Sequence, residues 1–193
     1  MIDAETLRRA RAGDAAARED LARRSGEAAF RFALQLLGDR ESARDVAQDS
    51  VMRFFAALDR VDPERSPAPW LLRIVRNRVI DLRRHERARG GAPPRGSDGA
   101  GFAAALELPD RSPGPLERSV ERELQRLVWQ CLAGLEPAHR EILVLRDYQD
   151  LSYRDIALVL EIPIGTVMSR LHAARRLLRA AVLATGYRFG GAA

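Results

Sequence analysis

Leu151 to Arg179 reads LSYRDIALVLEIPIGTVMSRLHAARRLLR, and the punctuation of this stretch decides the fold. Ser152 followed three residues later by Asp155 is a pair able to cap a helix start. Ile156 and Ala157 then face inward, and Glu161-Ile162-Pro163 interrupts the pattern before Val167 and Leu171 resume it. Two helices meeting at a tight turn follow from this spacing, which is the plan of a helix-turn-helix. The small side chain of Ala157 lets the helices cross closely, and Pro163 has the fixed backbone angle suited to a first helical turn. Read from Pro163 to Ala180, the second helix carries Arg170, Arg175, Arg176 and Arg179 and no acidic residue, so its attraction for phosphate is uncompensated. Thr166, Ser169, Arg170 and His172 are the side chains expected near base edges, and Arg175 and Arg176 are read with them as contacts to duplex DNA. The competing reading is an ordinary helical hairpin with a solvated basic face.

Upstream, Val120, Leu124, Leu127, Val128, Cys131, Leu132 and Leu135 form the apolar stripe of a helix that Pro137 ends, and Ile142, Leu143 and Leu145 mark another. Before these, RGGAPPRGSDGAGFAAALELPDRSPGP, from Arg89 to Pro115, is too rich in Gly, Pro and Ser to bury much apolar surface and reads as a flexible linker. The chain is therefore expected to be all-α, with a first domain over 1–89, a linker over 90–115, a second domain over 116–185 and a tail over 186–193. In the first domain Gly38 ends a helix bearing Phe30, Ala33, Leu34 and Leu37, and another opens near Asp39. That second helix buries Ala43, Val46, Ala47, Ser50, Val51, Phe54, Phe55 and Leu58 and turns Asp45, Gln48, Asp49 and Met52 outward. After the prolines at 63, 67 and 69, a third helix runs from about Trp70 to Arg87.

Charge is concentrated on that third helix. WLLRIVRNRVIDLRRHERAR, Trp70 to Arg89, holds seven arginines against Asp81 and Glu86, a local excess of five that equals the net charge of the whole chain. Asn77 and Asp81, one turn apart among Arg73, Arg76 and Arg84, add groups able to distinguish base edges along an electrostatic track for phosphates. A solvated face, or a helix lying on anionic lipid, competes with this reading, and the neighbouring helix-turn-helix favours DNA. The basic composition is a weaker clue, because all 32 basic residues are Arg and a GC-rich genome accounts for that choice equally well.

Other classes of function find little support. A single cysteine, Cys131, excludes an internal disulfide, and with three scattered histidines it offers no metal-ligand spacing. No cofactor is expected. No paired carboxylates sit with His or Cys as a hydrolytic or nucleic-acid-modifying centre requires, so an enzyme is not expected and no small-molecule substrate is implied. The start MIDAETLRRARAGD lacks the apolar stretch of a signal peptide, and no run approaches the roughly 18 apolar residues of a membrane span, so a cytoplasmic protein without membrane insertion is expected.

Taken in order, DVAQDSV, WLLRIVRNRVIDLRR and LEPAHREILVLRDYQDLSYRDIALVLEIPIGTVMSRLHAARR resemble the second and fourth conserved regions of extracytoplasmic-function (ECF) sigma factors of bacterial RNA polymerase, in the sigma-70 family. The resemblance implies that Asp45, Gln48 and Asp49 dock on the clamp helices of the largest polymerase subunit, with the beta flap as a further contact. It implies that the loop from Asp59 to Ser66 and the helix bearing Arg73, Arg76, Asn77, Asp81 and Arg84 capture unstacked bases of the minus-ten element and so melt it. The helix-turn-helix would read the minus-thirty-five element as duplex, and the linker would thread near the active-site and RNA-exit path. Core polymerase and promoter DNA are the implied partners, an anti-sigma factor is a further one, and a stress or envelope response is the implied setting. Against the family pattern, Val51 and Phe55 replace common Phe and Trp, and Met168 replaces a frequent Lys, which puts a thymine methyl within its chemistry. Glu161 stands where many helix-turn-helix proteins have Gly, which predicts a turn without a left-handed residue. The alternative is a one-component regulator that binds duplex operator DNA and uses its first domain to dimerise or sense a signal.

Overall fold

Asp3, Asp14 and Asp39 each begin a helix by accepting a hydrogen bond from the backbone N–H three residues on, at 2.7 Å from Thr6, 3.0 Å from Ala17 and 2.8 Å from Ser42. The computed structural model describes residues 2–90 and 117–187, and among them there is no strand. The three capped helices are α1 (Ala4–Arg11), α2 (Ala15–Leu37) and α3 (Arg40–Ala56), and α4 (Ala68–Ala88) follows a loop that contains a short 3-10 turn at Leu58–Arg60. The second half consists of α5 (Glu117–Ala133), α6 (Pro137–Leu143) continued by a wider π turn over Val144–Tyr148, α7 (Tyr153–Leu160) and α8 (Ile164–Ala184). The all-α expectation agrees with this arrangement. The linker read over 90–115 lies, beyond Gly90, outside the described residues, as does the tail beyond Tyr187.

Gly38 ends α2 in the left-handed conformation, φ 74°, where its N–H bonds back to the Leu34 carbonyl and turns the chain into α3. The last turn of α2 is buried on every side: Leu34, Gln35, Leu36 and Leu37 are all buried, because α3, α4 and α6 surround it. Phe32, Phe54, Leu71, Val75 and Val79 complete the core of the first half. In the second half Trp129, Leu132, Ile142, Leu143, Ile156, Val167 and Leu171 fill the space among α5, α6, α7 and α8. The two sets join into one apolar core, since α4 packs on α7 and α2 touches α6.

Boundaries move where proline acts differently from its reading. Pro137 lies at the first position of α6 rather than merely stopping α5, and its missing N–H costs nothing there. Pro163 lies one residue outside α8, which begins at Ile164 and runs four residues beyond Ala180. The sequence reading assigned no structure to the chain before Phe30, yet α1 is held there by Ile2, Leu7 and Ala10, all buried.

Candidate DNA and polymerase interface

Ser152 caps α7 as its spacing predicts: its hydroxyl accepts from the Asp155 N–H at 3.2 Å and donates to the Asp155 carboxylate at 2.6 Å. The turn that follows corrects an expectation. Glu161 adopts the left-handed conformation, φ 56° and ψ 44°, that its side chain seemed to exclude. The reason is closure of the helix end: the Ile162 N–H reaches back to the Ala157 carbonyl at 3.2 Å, and Ile162 packs on the core. Together these offset the roughly 1–2 kcal/mol that a Cβ costs in this region. The axes of α7 and α8 differ by 97° across the turn, so α8 projects as a recognition helix must.

On α8, Met168, Ser169, His172, Arg175, Arg176 and Arg179 are exposed, while Thr166 and Arg170 are half-buried. Ser169 donates its hydroxyl to the Thr166 carbonyl at 3.2 Å. Arg175 is engaged by Asp147 of the π turn at 2.7 Å, and this hydrogen-bonded pair holds the guanidinium above its ordinary range. Met168 stands 54% exposed, an apolar side chain in the midst of this polar face. Arg140, buried behind the motif, donates to the carbonyls of Leu132 at 3.1 Å, of Leu135 at 3.2 Å and of Ala133. It thereby satisfies the open end of α5, and burial pushes its pKa down to about 10.

The basic helix α4 divides into two faces. Asn77 and Arg84 are exposed, and Asp81 lies between Arg78 at 3.8 Å and Arg84 at 4.0 Å. Arg73 and Arg76 turn instead towards the second half of the chain. Arg73 lies over the Trp70 ring, 5.3 Å from its centroid, and 3.6 Å from Glu161; Arg76 pairs with Glu141 at 2.7 Å. The loop from Asp59 to Ser66 is held from an unforeseen side. Arg11 of α1 donates to the carbonyls of Leu58 and Val61, the latter at 2.7 Å, and Ser66 donates its hydroxyl to the Ile2 carbonyl at 2.9 Å. Nothing in the periodicity around Arg11 foretells this role, because its partners are backbone carbonyls about fifty residues away.

Asp45 and Gln48 are exposed on α3, as expected, whereas Asp49 is half-buried and pairs with Arg53 at 3.0 Å and with Arg78 of α4. The same stripe continues through Met52, 65% exposed, to Phe55. With Ala15, Ala22 and Val51 these two line an apolar groove of about 500 Å³ between α2 and α3, flanked by Arg18 and Glu19. No group of three or more metal-ligating side chains exists among the described residues.

A helix-turn-helix with an acid-free second helix, joined to a helical domain with its own basic helix and an outward acidic stripe, defines the class of a two-part DNA-binding protein. Residues 21–89 match the Sigma-70 region 2 family and residues 125–178 the Sigma-70, region 4 family. The ECF RNA polymerase sigma factor SigL of Mycobacterium tuberculosis (strain H37Rv) is 34% identical over 151 residues, 78% of this chain and 80% of that protein. SigE of Mycolicibacterium smegmatis, also an ECF RNA polymerase sigma factor, is 32% identical over 83% of this chain, which spans only 60% of that longer protein. Among solved structures, CnrH in complex with the cytosolic domain of CnrY superposes with a TM-score of 0.65 at 25% identity, covering 94% of this chain and 97% of CnrH. The chain belongs to the ECF sigma factors of RNA polymerase, within the sigma-70 family. It is a transcription-initiation factor that binds DNA, and a one-component regulator is not favoured. No single helix among the described residues is long and apolar enough to cross a membrane.

Proposed function

We propose that this sigma factor docks on the clamp helices of core polymerase through the α3 stripe, melts the minus-ten element with α4 and the Asp59–Ser66 loop, and reads the minus-thirty-five element with α8. The observation that carries the docking step is the exposure of Asp45 and Gln48 in line with Met52, beside an apolar groove. Charge with adjoining apolar surface is what a protein partner recognises, whereas DNA would be repelled by that carboxylate. Asn77 and Asp81 on the open side of α4 supply hydrogen bonds to bases held out of the stack, and the arginines supply phosphate contacts. Thr166, Ser169, Arg170 and His172 supply the duplex contacts, with Arg175 and Arg176 behind them. Such a factor catalyses no reaction of its own and works in the cytoplasm, where polymerase is. Residues 1–89 and 116–185 serve as its two working domains. CnrH was solved with a domain of another protein, which supports an anti-sigma type of regulator for this chain as well, in a stress or envelope response.

The test is run-off transcription with purified core polymerase over a genomic library, with and without charge reversal at Asp45 and Asp49. Promoter-specific transcripts are expected from the native chain, and the doubly reversed chain should lose polymerase binding while keeping native helicity. Unchanged binding by a folded variant overturns the docking assignment, and transcripts that start at random overturn the promoter reading.

A further inference from the structure

Helix α1 precedes residues 21–89, the stretch that matches Sigma-70 region 2, yet it grips the Asp59–Ser66 loop at both ends. At the entry, Nε of Arg11 donates to the Leu58 carbonyl at 3.0 Å, and Nη2 donates to the same oxygen and to the Val61 carbonyl at 2.7 Å. The Leu58 carbonyl also accepts from the Val61 N–H at 3.2 Å, so the guanidinium closes over a turn already bent back on itself. At the exit, the Ser66 hydroxyl donates to the Ile2 carbonyl at 2.9 Å and accepts from the Ala68 N–H at 3.3 Å, where α4 begins. Between the two ends, Asp62 makes a tight turn by accepting from the Glu64 N–H at 2.9 Å. The exposed Arg8–Glu64 pair, at 3.5 Å, adds little to this clasp. The result is a sorted loop: Leu58 and Val61 are buried, whereas Asp59, Arg60, Asp62 and Arg65 are exposed.

We propose that Arg11 is a positioning residue for minus-ten recognition: by tying the Leu58 and Val61 carbonyls to one guanidinium, α1 sets the loop shape that decides which unstacked base is accepted, without touching DNA itself. The proposal rests on the reading of this loop as a base-capturing element. A base that has left the stack is selected by donors and acceptors already aimed at it. A fixed loop leaves the polar groups of a wrong base unpaired, while a slack one adapts to that base and discriminates less. A loop that orders only on capture also loses conformational entropy at that moment, which weakens the capture itself. Arginine suits the task because its planar fork fixes the direction of several donors at once. Lysine supplies the same charge without that geometry. Specificity of the loop therefore depends on a helix placed about fifty residues earlier in the chain.

The test assembles core polymerase with the full native chain, or with Arg11→Ala, Arg11→Lys or Ser66→Ala. Each holoenzyme is offered a bubble template whose non-template strand is randomised across the opened positions, and sequencing of the retained strands gives the base preference at each position. Circular dichroism gives the folded fraction. The native chain should favour one base at a minus-ten position by roughly tenfold, in the range usual for a single base pair in a recognised site. Arg11→Ala should bring that preference down to roughly twofold, and Arg11→Lys should recover only part of it. Ser66→Ala should lower it less, because the entry clasp remains. A merely structural role reduces the amount of active factor and scales retention of every sequence alike, so the ratios between bases would not move. A folded Arg11→Ala chain with native ratios therefore overturns the proposal. If that variant unfolds, Arg11→Lys and Ser66→Ala carry the comparison, and native ratios in both overturn it equally. The premise is tested apart from Arg11: if Asp59→Ala, Arg60→Ala and Arg65→Ala together leave the ratios native, the loop itself selects no base, and the loop reading falls together with the proposal.

Discussion

Helices α4 and α8 have the same length, 21 residues, both follow a proline, and neither begins with a side-chain cap. Their arginines nevertheless live in different surroundings. On α4, Arg73 and Arg76 meet acids of the second half, Arg78 meets Asp49, and Arg83 donates to the Leu36 carbonyl. On α8, Arg175 meets Asp147, while among the described residues Arg176 and Arg179 have no ion-pair partner. Counting charges along a helix therefore measures how much cation is present, and tertiary structure decides how much of it faces outward. The helix richer in arginine is the one whose positive charge is more fully answered from within the chain.

The largest effect is expected where an arginine is enclosed by backbone. Replacing Arg140 by alanine leaves three carbonyls near the end of α5 without their donor and should cost about 3 kcal/mol in chemical denaturation. Arg176→Ala, on the open face of α8, should stay within about 0.5 kcal/mol of the native chain. Equal losses at both sites would break the contrast.

Function sharpens it next. With polymerase present, Asn77→Ala combined with Asp81→Ala should leave duplex recruitment intact while raising the cost of opening by about 2 kcal/mol, because their partners appear only once bases leave the stack. Permanganate reactivity of promoter thymines measures opening and filter binding measures recruitment. Arg176→Ala should do the reverse, weakening recruitment and lowering the salt slope by about one unit. If both variants lose recruitment alike and open the bound fraction normally, α4 is only a phosphate track.

A smaller effect separates these two helices from the capped ones. Asp39→Ala should destabilise the first half by about 1 kcal/mol at neutral pH. Hydrogen bonds from the Ser42 backbone N–H and from the Ser42 side chain hold the Asp39 carboxyl below its ordinary range. A carboxylate with a lowered folded pKa contributes fully above its unfolded value, about 3.9, and that contribution fades as pH falls through the folded one. Native and variant denaturation curves should therefore converge in acid, and a gap that persists at pH 2 would show that the cap acts through something other than its charge.

Much of this architecture was legible in the sequence because it is local. Gly38, Asp39 and the Ser152–Asp155 pair announce helix ends through contacts within a few residues, and the helical spacing of Ala43, Val46, Ala47, Ser50 and Phe54 announces a buried stripe. What stayed hidden is long-range. The Arg11 bonds to the Asp59–Ser66 loop, the partnership of Arg76 with Glu141 and the Asp49–Arg78 pair join elements that no periodicity relates. Glu161 shows the limit at short range as well: residue type predicted its backbone wrongly, because closure of α7 against Ile162 outweighed a local preference. Candidate contact residues on α3 and α8 could be read as stripes, but which arginines of α4 face outward could not.

The Gln35–Gln149 and Arg76–Glu141 contacts join halves that residues 91–116 tether together. A covalent tether turns association into an intramolecular event at an effective concentration on the order of millimolar. Two separated halves that met only with millimolar affinity would therefore spend about half their time together in the intact chain. A surface that weak is easily displaced by a partner of nanomolar affinity, whose binding exceeds it by roughly 8 kcal/mol. Chain connectivity, rather than the strength of any one contact, would then set how often the two halves are found together, and lengthening the tether would tune that fraction without changing a single residue of α3, α4 or α8.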